Sequence, residues 1–138
     1  MKNRLIWLLL GVIVFDFGIT LLGQPSSYWV DTRTANEGNH VFRWFMVQGI
    51  GPYTLFVLGY VLTVGVLIRI MPLQVAIITG LVFLLSHFFA GSTWLSFHFN
   101  FGMLGPIAYA VVLSILLISI LQSGGVIICA NQSKDPAA

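Results

Sequence analysis

Four side chains have the types and spacing to do acid–base or metal chemistry. Asp16 interrupts the apolar run VIVFDFGIT (residues 12–20), with Thr20 one helical turn further along the same face. Glu37 and His40 stand three apart in EGNH, and His87 lies within LLSHFF (residues 84–89). A carboxyl and an imidazole at equal depth in hydrocarbon can hydrogen-bond, share a proton or hold a cation between them. A Glu-x-x-His pair pointing inward is the spacing of carboxylate-bridged metal sites in helical bundles. Asp16, Glu37, His40 and His87 therefore make a candidate ligand set for a divalent metal (zinc, iron, manganese or copper), with Thr20 and His98 in support. Such a metal would lower the pKa of a bound water, and a carboxylate would take its proton.

The elements that must position these groups are set by composition. Of 138 residues, 58% are hydrophobic and only 7% charged, against about 25% charged in a soluble domain. The class is an integral membrane protein. Six basic residues, scattered along the chain, exclude a nucleic-acid surface. The single cysteine, Cys129, excludes an internal disulfide. A span needs roughly 20 apolar residues, and four fit: about 5–23, 52–70, 73–94 and 103–121. The first is too long for a signal-peptide core and reads as a retained span. Between the first two, residues 41–51 are apolar but carry Arg43 and Gln48 and are too few to cross, which predicts a short helix in the interface, about 37–50. Asn36 is its expected cap. Residues 124–138 read as a disordered tail, so the chain is one all-α domain, a bundle of four transmembrane helices.

Basic residues near the span ends set orientation. Lys2, Arg4, Arg69 and Lys134 fall on one side, Arg33 and Arg43 on the other, which predicts a multi-pass cell-membrane protein with both termini in the cytoplasm. Tyr28, Trp29, Trp44 and Trp94 would then mark the outer interface. On this topology Asp16 sits seven residues inside the outer end of span one, roughly 10 Å deep at 1.5 Å per residue. His87, seven residues before Trp94, has matching depth, and all three histidines gather with two acids in the outer half.

Each residue also has a plainer use. Asp16 could make a structural hydrogen bond, His87 could be packed, Glu37 and His40 could cap and orient the short helix, and His98 could be an exposed turn residue. Gly59, Gly65 and Gly80 would allow close helix approach.

Asp16-x-x-x-Thr20 late in span one, a polar loop, then EGNH opening a short helix that ends in Gly51-Pro52, together resemble the small polytopic membrane proteins of the DUF5658 type. Their pattern is Asp and Thr in span one followed by Glu-x-Asn-Pro. The resemblance covers roughly residues 10–95; His40 stands where that family has proline, and span four lies outside it. It implies that Asp16, Thr20, Glu37 and Asn39 form one polar set, and it implies no activity.

The sequence thus points to an outer-leaflet polar site in a small membrane protein, used for metal handling or for metal-assisted hydrolysis of a lipid-like substrate. Two other functions fit. One is a proton-coupled transport component using Asp16 and His87. The other is an accessory subunit, among other membrane subunits or as a homo-oligomer, in which His87 could ligate haem or a pigment.

Overall fold

In hydrocarbon every backbone N–H and C=O must be satisfied within its own segment, so the apolar runs become helices. The computed structural model describes residues 2–99 and 101–123, and no strand occurs among them. Helices α1 (Lys2–Leu22), α3 (Ile50–Ile70), α4 (Leu73–Phe97) and α5 (Leu104–Ser123) are long and apolar enough to cross a membrane. Between α1 and α3 the chain makes two short 3₁₀ turns, Ser26–Trp29 and Thr32–Thr34, and then helix α2 (His40–Val47). The molecule is a small multi-pass membrane protein. Large apolar side chains stand exposed on all four long helices, among them Trp7, Leu22, Leu55, Leu62, Ile70, Phe89 and Ile115.

Helix α1 is the centre of the bundle. It packs most extensively on α4 and then on α3, while α5 rests on α4 and α1 and is the least buried of the four. The face α4 turns inward carries small residues, Ala76, Gly80 and Gly91, alternating with Leu84, His87 and Trp94. A Cβ on Gly80 would come within 3.2 Å of Leu5 Cδ2, so glycine there lets α1 approach closely. Of the other glycines expected to pack, Gly65 only grazes Leu10 and Gly59 faces open space, because the α3 surface at Gly59 turns away from its neighbours.

The two ends of the bundle differ. At one, Lys2 Nζ donates to the carbonyls of Arg69 and Met71, and Arg69 Nη1 donates to Asn3 Oδ1 at 3.3 Å, tying the start of α1 to the α3–α4 turn. Loop 23–39, α2 and the α4–α5 turn form the other. Helix α2, at eight residues, is about 12 Å long and cannot cross. It is shorter than the expected 37–50 and begins later, because Asn39 and not Asn36 is its cap: Asn39 Oδ1 accepts from the N–H groups of Val41 and Phe42. Helix α3 starts at Ile50 after Gly49, whose φ of 112° suits glycine. Helices α4 and α5 run past the expected ends to Phe97 and Ser123. The expected tail, with Lys134, lies outside the described residues.

Candidate functional site

Asp16 projects from α1 six residues before its end, roughly 9 Å inside it. His87 projects from α4 at the same level, and the two meet: His87 Nδ1 lies 2.7 Å from Asp16 Oδ2, with both side chains at least nine-tenths buried. On the other edge of the ring, His87 Nε2 lies 3.1 Å from Tyr60 Oη of α3. Three helices thus contribute one member each to a continuous chain, Asp16–His87–Tyr60. With an ionised carboxyl, which only accepts, Nδ1–H donates to Asp16 and the Tyr60 hydroxyl donates to Nε2. With the proton on Asp16 the direction reverses, and Nε2–H donates to Tyr60. Both arrangements satisfy the ring, and the second carries one proton more than the first, so the geometry accommodates the chain with or without that proton.

Packing fixes the ring orientations. Phe17, buried beside Asp16, sets its ring edge-on to His87 (centroids 5.6 Å apart), Tyr60 (5.7 Å) and Phe42 (5.1 Å). Tyr53 Oη donates to the Phe17 carbonyl at 3.3 Å and pins α3 to α1 at this level.

The chain forms part of the wall of a cavity of about 500 Å³, also lined by Thr20, Asn36, Glu37, Asn39, Trp94 and His98. Loop 35–39 is held over it by Gln24. The Gln24 amide donates to the carbonyls of Thr20 and Asn36 at 3.0 and 3.1 Å, and its Oε1 accepts from Asn36 N–H at 2.7 Å. Glu37 follows directly, and its Oε1 accepts from Asn39 N–H at 2.7 Å. Burial pushes the Glu37 carboxyl above its usual range, the charge of Asp16 adds to this, and the Asn39 N–H opposes it. Away from the cavity, exposed Asp31 makes a bidentate pair with Arg33 (3.0 and 3.1 Å), which holds its carboxyl below the usual range.

Of the expected ligand set, Asp16, Glu37 and His87 line one cavity together with the supporting Thr20, Asn39 and His98. His40 does not: it is exposed in the first turn of α2 and is not part of the wall. The Glu-x-x-His geometry fails because the helix starts at His40, leaving Glu37 in the loop before the cap, so the pair shares no helical face. Among the described residues no three of His, Cys, Asp and Glu come close enough to hold a metal ion.

Three members of the site escape a reading of the sequence. Tyr60 looks like one more aromatic in a span. Gln24 continues the Asp16–Thr20 spacing by another four residues, a signal that could have been used. Trp94, expected at the interface with Tyr28, is buried like it, while Trp29 and Trp44 are exposed. The Trp94 ring lies against Gly23, where a Cβ would fall 2.6 Å from Cε3, and is tilted by 31° against His98 with centroids 4.0 Å apart.

On the side of Asp16 away from His87, its Oδ1 is buried and makes no hydrogen bond among the described residues; the same holds for Tyr109 Oη and Ser92 Oγ. Gly91 opens the space there, since its Cβ would lie 3.4 Å from Tyr109 Cε1 and 3.6 Å from Asp16 Oδ1.

Comparison with protein-family models, curated proteins and solved structures finds no match to this chain.

Proposed function

We propose that this protein binds a small polar solute in a cavity that opens to the outer side of the membrane, and links that binding to a proton held along Asp16–His87–Tyr60. The observation that carries the reading is His87, bonded through both ring nitrogens, at 2.7 Å to Asp16 and 3.1 Å to Tyr60, in a cavity wall. A buried ionisable group in a span is costly, by roughly 2.5–3.5 kcal/mol for Asp near a helix centre. A merely structural contact between α1 and α4 could have been made by apolar residues without that cost. Protonation would be felt by Glu37 from the loop, Tyr109 from α5 and His98 at the end of α4, which face the same pair.

The same geometry supports the other functions less. Haem or pigment ligation needs a free ring nitrogen, and both nitrogens of His87 are engaged. Metal-assisted hydrolysis needs a set of ligands close together, and among the described residues no three of His, Cys, Asp and Glu come that close. The resemblance to DUF5658-type proteins supports a site in the cavity, since Asp16, Thr20, Glu37 and Asn39 all line it. The outward direction rests on the basic residues, Lys2, Arg4 and Arg69 at the opposite end.

The test is ¹⁵N NMR of His87 in nanodiscs, paired with proton uptake by proteoliposomes. A ring that changes protonation with pH, with signals displaced by Asp16→Asn and Tyr60→Phe, and uptake lost in His87→Ala, supports the proposal. A ring that stays in one tautomer over the whole accessible pH range sinks it. Labelling of Ser26→Cys by an impermeant thiol reagent from outside checks the direction.

A further inference from the structure

We infer that the solute is an organic ammonium ion, recognised by Asp16 and Glu37 together with the aromatic rings that line the cavity. The inference rests on the proposed ligand site and specifies its occupant.

Charge comes first. Asp16 and Glu37 both line the cavity, and among the described residues no lysine or arginine does. Glu37 is bonded through Oε1 to the Asn39 N–H, and among the described residues it makes no ion pair. Asp16 adds a second carboxyl to the same wall: it is 4% exposed, and its Oδ2 is held by His87.

The walls then select the kind of cation. Phe17, Phe42, Tyr60 and Trp94 line the same space as the two acids. Aromatic faces attract alkylammonium groups, and more strongly when water is excluded. A hydrated inorganic ion gains little from such rings and needs several oxygen or nitrogen donors at short range, a set that the described residues do not assemble. The size, about 500 Å³, suits a compact organic molecule.

Choline and benzylamine are suitable probes, with 3,3-dimethylbutan-1-ol and benzyl alcohol as their uncharged counterparts and zinc chloride as the inorganic arm. Binding to the full chain in nanodiscs is read from tryptophan fluorescence and calorimetry. At least one ammonium probe should bind about tenfold or more tightly than its uncharged counterpart. Glu37→Gln should weaken it about tenfold, Glu37→Asp should restore part of the loss, and Asp31→Asn, outside the cavity, should change nothing. Glu37 lies in a loop, so its variants keep the helical core intact, which thermal unfolding verifies. Equal binding of charged and uncharged probes overturns the ammonium inference and leaves the ligand site standing. Binding of zinc alone also overturns it, in favour of an inorganic cation. If neither ammonium ion binds and His87 also fails the NMR test, both this inference and the site fall together.

Discussion

His87 and Asp16, 71 positions apart in the chain, meet through a 2.7 Å contact between Nδ1 and Oδ2 with both side chains buried. The contact joins the two helices that pack most extensively, so it carries both the proposed chemistry and part of the fold. Removing the histidine leaves an acid in an apolar setting. His87→Leu should therefore destabilise by about 2–3 kcal/mol. Asp16→Leu should cost less, about 1–2 kcal/mol, because the remaining imidazole keeps Tyr60. The double variant should recover part of the combined loss. Thermal or denaturant unfolding in mild detergent measures this cycle, and strict additivity would contradict a direct pair.

Glu37 should impose a pH dependence on the loop that carries it. Its folded pKa is raised, chiefly by burial. The folded form therefore holds its proton more tightly than the unfolded one. Stability from this group is present in full below the ordinary glutamate pKa and is lost as pH rises through the raised folded value. Melting temperature should fall over that window in wild type and should fall less in Glu37→Gln. Equal slopes in the two proteins would count against the burial of this carboxyl.

Gly23 and Trp94 provide a steric test. A methyl at position 23 would sit 2.6 Å from Cε3 and 2.9 Å from Cζ3 of the indole. Gly23→Ala should cost about 1–3 kcal/mol as the ring is displaced. It should also shift tryptophan emission, and because Trp94 lines the cavity it should weaken binding there. Gly59→Ala, with nothing near its Cβ, is the control and should be neutral or slightly stabilising.

Gln24→Leu keeps the approximate volume but removes three hydrogen bonds, leaving the Asn36 N–H and two carbonyls without the amide. The expected cost is about 1–3 kcal/mol. It should be local: amide exchange should accelerate at residues 36–39 while the Asn39-capped helix α2, anchored through Tyr28 Oη on the Met46 carbonyl, stays protected. Uniform acceleration across α2 would show that the loop and the helix open together.

The four spans were legible in the sequence because hydrocarbon imposes length and apolarity on each segment, and because a lone acid and a lone histidine stand out in such segments. Equal depth, counted from the span ends, was enough to pair Asp16 with His87. The α2 start was not legible: Asn36 and Asn39 are chemically equal caps, and only the fold decides that Asn36 is bound by Gln24 and Asn39 is left to cap. That three-residue shift removed His40 from the site. Tyr60 and Trp94 were hidden for a related reason. Aromatic residues serve lipid contact, core and ligand walls alike, and spacing along one helix does not say which neighbour each will face.

Among the described residues, every one that lines the cavity lies between Asp16 and His98, and none belongs to α5. The proposed site is therefore assembled by the first three spans and the segment that joins α1 to α3. What α5 adds lies behind it: Tyr109 borders the space beside Gly91, where the unpartnered oxygen of Asp16 also lies. Shortening or replacing α5 would leave the cavity wall whole and change only the surroundings of that oxygen.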